Sequence, residues 1–190
     1  MMTPPRRVVT GHDSSGRAIV LSDAPPPRVL TNAAQPGLAF HEIWNTRTTP
    51  APISAQEDEP TWLHDGTAPP RNGTVIRIVD IPPEGDGAPD LDSDAASAVL
   101  ASVGLDAPGA KPHGRHPLMH RTRSIDYGIV LEGEIVLMLD DDDVVLRAGD
   151  IVVQRGTIHA WNNRSDAICR IAFILVDGVF DPALSSSLDL

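Results

Sequence analysis

Between residues 114 and 163 glycines cut the chain into short β-prone runs, and each half of the stretch carries a histidine at a matching place. The first half passes from Gly114 through His120, Thr122 and Asp126 to Gly133. The second passes from Gly149 through Gln154, Gly156 and His159 to Asn163. From residue 117 onward such runs recur over 117–123, 126–131, 134–139, 143–147, 151–155, 158–162 and 168–176. Glu132-Gly133-Glu134 and the acidic run Asp140 to Asp143 read as hairpin connections. Short strands repeated at close spacing predict an antiparallel barrel or sandwich.

Composition narrows this further. Eighteen prolines and fifteen glycines oppose long helices. With three Trp, one Tyr and three Phe in 190 residues, a core must be built mainly from Val, Ile, Leu and Ala. The length suits one domain with extensions. A net charge of −11 disfavours nucleic acid and an anionic membrane as main partners, because both are polyanions, and neither is expected. No run is long and apolar enough for a signal segment or a membrane span, so the expected location is cytoplasmic. Cys169, the single cysteine, lies in an apolar run and reads as a buried, inert thiol.

Before residue 114 the signals are sparser. Runs at 7–10 and 17–22 flank a Gly/Asp/Ser turn and predict a hairpin, ended by Pro25 to Pro27. The run 38–44 reads as a strand with His41 and Ile43 on one face and Phe40, Glu42 and Trp44 on the other. Residues 47–73 read as an irregular loop and 74–80 as a strand. Within 84–112 the one helix candidate covers 93–102. The tail from Asp181 is expected to fray. The expected units are an N-terminal β extension over 1–73 in the same body, a barrel over 74–178, and a flexible tail over 179–190.

The stretch 114–163 resembles the paired motifs of the cupin superfamily, G-x5-H-x-H-x3,4-E-x6-G and G-x5-P-x-G-x2-H-x3-N. Gly114 and His120 match the start of the first motif, and Gly133 its end. Asp126 stands at the glutamate position and Thr122 at that of the second histidine. In the second motif Gly149, Gly156, His159 and Asn163 match. Gln154 replaces the proline, one residue early. The resemblance implies an all-β, jelly-roll-like antiparallel β-barrel, here with an N-terminal β extension. It also implies a site at the barrel mouth, where ligand pockets are common.

The residues then allow two readings of that site. In metal-binding cupins the matching positions are ligands, so His120, Asp126 and His159 would hold a divalent ion, one of Fe, Mn, Ni or Zn. Asp126 and His159 would then be catalytic. In the other reading the histidines are hydrogen-bonded pocket residues around an organic ligand, since threonine at 122 removes one imidazole from the usual set. Thr122 and Trp161 are candidate substrate contacts. His116 is a further candidate, although about 13 Å of extended chain separates it from His120.

The expected function is a small metal-dependent enzyme on an organic acid, aromatic or polyketide-type metabolite, acting as a decarboxylase, cyclase, isomerase or oxygenase. The alternative is a non-catalytic module that binds a small molecule without metal. A homodimer formed through strands outside the barrel is expected, because exposed β edges invite pairing.

Overall fold

The computed structural model describes residues 2–32, 35–55, 58–84, 100 and 115–188. The helix expected over 93–102 lies outside the described residues apart from Leu100, and so does Gly114. Among the described residues there are eleven strands: β1 (Arg7–His12), β2 (Ala18–Ala24), β3 (Arg28–Thr31), β4 (Ala39–Thr46), β5 (Thr74–Ile81), β6 (Ser124–Glu132), β7 (Glu134–Met138), β8 (Asp143–Arg147), β9 (Ile151–Arg155), β10 (Ala160–Asn162) and β11 (Cys169–Asp177). A 3-10 turn covers Pro60–Leu63 and a short helix, α1, covers Pro182–Ser187.

The pairing is antiparallel throughout. Six strands form one sheet in the order β3-β4-β5-β11-β6-β9, and three form a second in the order β10-β7-β8. Alternation sets which residues meet between them. Val79, Val130 and Ile171 of the large sheet pack against Ile135, Leu137 and Leu146 of the small one, all buried. Each such side chain contributes about 1.5–3 kcal/mol when taken out of water. On the opposite face of the small sheet, Val136, Met138 and Ala160 bury against Met119. The expected all-β antiparallel architecture is thus observed.

The tight reversal between β6 and β7 depends on Gly133. Its φ is +82°, and a Cβ there would lie 2.9 Å from the Ile168 carbonyl oxygen, so both backbone conformation and space require glycine. The N-terminal hairpin β1–β2 is a sheet of its own. It is fastened by Arg7, whose guanidinium donates to Glu59 at 3.0 and 2.6 Å and to the Ile43 carbonyl at 3.0 Å.

Several local expectations are corrected. Residues 117–123 do not form a strand. Pro117 has no N–H to donate, and the chain turns there as Met119 N bonds the His116 carbonyl. Only His120 pairs, through one bridge to His159. The proline run ends the hairpin as expected, since β2 stops at Ala24, but a further strand, β3, follows it and joins β4. Period two fails in β4, where a bulge between Glu42 and Trp44 accompanies burial of both His41 and Glu42. The expected loop 47–73 contains the 3-10 turn, and the tail carries α1. Asp181 caps α1 by accepting from Leu184 N at 2.9 Å. Among the described residues no helix is long and apolar enough to cross a membrane.

Candidate functional site

Between the inner face of the large sheet and the segments around His120 and His159 lies a cavity of about 140 Å³. Phe40, Val79, Trp161, Phe173 and Leu175 give it an apolar wall. His120, His159, Thr122, Asp126, Gln154 and Arg77 supply polar groups. An apolar cavity of about 150 Å³ accepts benzene in another protein, so this space is the size of one ring. A Trp161–Phe173 edge contact, ring centroids 5.2 Å apart, shapes one side.

The two motif histidines are brought together by the bridge between their segments, and their ring centroids lie 4.3 Å apart. In each ring Nδ1 faces a backbone carbonyl two residues back, Leu118 O at 2.9 Å for His120 and Thr157 O at 3.0 Å for His159. Nδ1 therefore carries the hydrogen, and Nε2 is left with a lone pair for the cavity. Burial lowers the His120 pKa. It pushes that of His159 down further, helped by repulsion from His120. Both shifts favour the uncharged form of the rings.

Asp126 sits on β6 beside Gln154 on β9. One carboxylate oxygen accepts from Thr122 Oγ1 at 3.3 Å, and Thr122 accepts from Ser124 Oγ at 2.8 Å. The other oxygen, Oδ1, is buried without a partner. Burial raises the Asp126 pKa, against the lowering effect of its hydroxyl neighbours. The Gln154 side-chain amide also meets His159 Nδ1, and with the hydrogen on Nδ1 it is the amide oxygen that accepts there. Thr122 thus holds the carboxylate instead of standing free for a ligand.

The donor set expected for a metal is not gathered. Among the described residues no three His, Cys, Asp or Glu side chains cluster so as to hold an ion. The two imidazoles meet, but the carboxylate of Asp126, one methylene shorter than glutamate, is engaged with Thr122. Two imidazoles fall short of the three protein ligands usual in catalytic zinc sites, so the described residues as placed do not by themselves complete a divalent-ion site.

His116 is not on the cavity wall. Its side chain is fully buried, Nδ1 accepts from Leu118 N at 3.1 Å, and Nε2 donates to Glu84 at 3.1 Å. Of this pair it is Glu84 that lines the cavity. Asn163 also stays off the wall. It donates to the carbonyls of Ile81 and Ala167, both at 2.8 Å, and accepts from Ser165 N, so it fastens a loop. Cys169 is buried, and its thiol is pushed up to about 12, first by burial and then by the charge of Asp80.

Arg77 is the residue sequence reasoning missed. It lies mid-β5, buried on the same face as Val75 and Val79, and reaches the cavity. It donates to the Gly66 carbonyl at 2.9 Å and pairs with Glu42 at 3.4 Å. The available signal was parity: an arginine in phase with inward valines of a buried strand cannot snorkel to solvent.

A family model described as "Cupin domain" matches residues 107–176. Phomopsin biosynthesis cluster protein C′ of Diaporthe leptostromiformis is 35% identical over 182 residues, covering 91% of this chain and 78% of that protein. The cupin-domain-containing oxidoreductase fogC of Aspergillus ruber is 29% identical over 182 residues, covering 90% and 71%. Among solved structures, the Schizosaccharomyces pombe Cnp3 cupin domain aligns over 99% of this chain and 96% of that one, with 11% identity and a TM-score of 0.44.

Proposed function

The chain belongs to the cupin superfamily, and from that membership we propose that it is an enzyme of secondary metabolism that moves protons on a compact, ring-sized organic metabolite. The names of the relatives, a biosynthesis cluster protein and a cupin-domain-containing oxidoreductase, support the metabolic setting. The observation that carries the reading is the neutral pair His120 and His159 presented to an apolar cavity that also holds Asp126.

Burial lifts the carboxyl and lowers the imidazoles, so their proton affinities approach one another. Proton transfer between matched groups is the condition for efficient general acid–base catalysis. An isomerisation or cyclisation of an enolisable ketone needs no more than this. A C–H proton beside the carbonyl passes to Asp126 or an imidazole Nε2, the electron pair moves to the carbonyl oxygen, and the proton returns at another atom. We also propose that the protein pairs as a homodimer through the N-terminal hairpin.

The test is solvent exchange. Cyclohexanone, whose exchange in neutral buffer is slow, should gain deuterium faster with the protein in D₂O than in buffer alone, read by proton NMR. His159→Ala should remove most of the acceleration. Ring binding without exchange would favour the alternative, a non-catalytic small-molecule-binding module.

A further inference from the structure

Among the described residues, two polar atoms of the cavity lining have no hydrogen-bond partner, Nε of Arg77 and Oδ1 of Asp126. Both residues are deeply buried, 3% and 6% exposed. A donor or acceptor buried alone costs the fold its full desolvation penalty, and in a native structure each such atom asks for an explanation. Here the two are opposite in kind, one donor and one acceptor, and they share one cavity.

Their placement follows from the sheet. β11 runs between β5 and β6, and Phe173 is in register with Arg77 on one side and Gly128 on the other. Asp126 is in register with the next inward residue, Leu175. Arg77 and Asp126 therefore stand two strands and one inward step apart, each in the other's electrostatic field. Gly128 offers no side chain at the intervening position, and the Phe173 ring leans over it, 3.2 Å from where a Cβ would be. The Nη2 end of Arg77 is already engaged by Gly66 and Glu42, which leaves Nε as an unmet donor.

We propose that this end of the cavity recognises a hydroxyl on the ring, a phenol or an enol, whose oxygen accepts from Arg77 Nε–H and whose hydrogen is donated to Asp126 Oδ1. One hydroxyl satisfies both unpartnered atoms. A bare hydrocarbon ring satisfies neither. A carboxylate would meet the carboxylate of Asp126 in a dry space, with Glu42 and Glu84 close by, and an ammonium would face Arg77. The ring itself would lie against Phe173 and Trp161, where edge and offset contacts are favourable. This names the substrate class of the enzyme reading above and rests on the same cavity.

The experiment compares phenol, toluene and benzoate as probes of the full chain at pH 7, by calorimetry or ligand-observed NMR. The expected result is phenol binding at least about tenfold tighter than toluene, with benzoate no tighter than toluene. In Asp126→Leu, and in the double variant Arg77→Met/Glu42→Leu that removes the charge pair together, toluene should still bind and the preference for phenol should fall towards unity. Equal binding of phenol and toluene overturns the inference, and so does a preference that survives in both variants. Benzoate binding tightest also overturns it and would make Arg77 a carboxylate anchor. If no ring binds, the inference and the cavity reading fall together. If phenol binds as described but no deuterium exchange occurs, the inference stands and the enzyme reading fails.

Discussion

His120 and His159 exchange both of their backbone hydrogen bonds, His120 N to His159 O at 2.8 Å and His159 N to His120 O at 2.9 Å. A reciprocal pair of this kind in antiparallel chains puts the two side chains on one face. It lies outside the named strands as a single bridge, yet it fixes the two imidazoles together. The approach has a cost that is legible in pH: neither ring can take up a proton without leaving water behind, and a charge on His120 repels one on His159.

Stability should therefore fall as acid is added. Both histidines have folded pKa values below the ordinary 6.5. The unfolded chain binds more protons than the native one as pH drops below about 6.5, and stability is lost progressively down to the folded values. Asp126 and Glu42 act oppositely. Their raised pKa values make the native state the better proton binder above the ordinary carboxylate range. Melting temperatures between pH 8 and 5 should fall, less steeply in His159→Leu and more steeply in Asp126→Leu. A wild-type profile that is flat below pH 6.5 would contradict this.

The pairing of the motif histidines was legible because His120 and His159 stand at motif spacings that constrain strand register. The role of Asp126 was not, because spacing gives position along a strand but not whether a neighbouring hydroxyl captures the carboxylate. Arg77 shows a second limit. One arginine among Ile and Val reads as a side chain reaching solvent, and only its place on a central strand, between β4 and β11 and facing the cavity, removes that route. Residues 117–123 had strand-like residues, yet Pro117 and the turn at His116 override them.

Gly133 and Gly149 separate two costs of adding a methyl group. Both have positive φ, +82° and +97°, but nothing lies within 4 Å of a Cβ at Gly149, whereas one at Gly133 meets the Ile168 carbonyl at 2.9 Å. Gly149→Ala should cost about 1–2 kcal/mol from the backbone alone. Gly133→Ala should cost more, because backbone must also move. Urea unfolding of both variants checks the order, and equal losses would count against the steric account.

Arg170 holds Asp80 by two bonds of 2.6 and 2.7 Å, and His41 faces the same carboxylate at 3.2 Å. Asp80 is 3% exposed. Removing one partner of a buried pair leaves a charge in a poor solvent and costs about 3–5 kcal/mol. Arg170→Met should lie near the lower end, about 3 kcal/mol, because His41 remains. A loss below about 1 kcal/mol in denaturant titration would mean that the pair contributes little.

The hairpin β1–β2 bears on assembly. It forms a two-stranded sheet apart from the others and exposes Val8 and Val20 at 48% and 60%. Pairing with a second copy would cover them. Sedimentation at micromolar concentration should give a species near twice the 20.3 kDa chain, and Val20→Lys should shift it toward monomer. A single species at the chain mass in the wild type would end the homodimer proposal.

Metal content follows from the donor set. His120 and His159 offer two Nε2 lone pairs, Asp126 is held by Thr122, and no third histidine, cysteine or carboxylate joins them among the described residues. Two imidazoles bind a divalent ion far more weakly than three or four protein ligands. Elemental analysis of tag-free protein should give well under one metal per chain after dialysis, and EDTA should leave the melting temperature unchanged. Thr122→His restores the histidine that the cupin motif carries there, and it also releases Asp126 from its hydroxyl partner. That variant should raise the bound metal toward about one per chain, a ratio reached by sites with three protein ligands. Stoichiometric metal in the wild type, lost in His120→Ala and His159→Ala, would show instead that the pair recruits a donor from elsewhere in the chain.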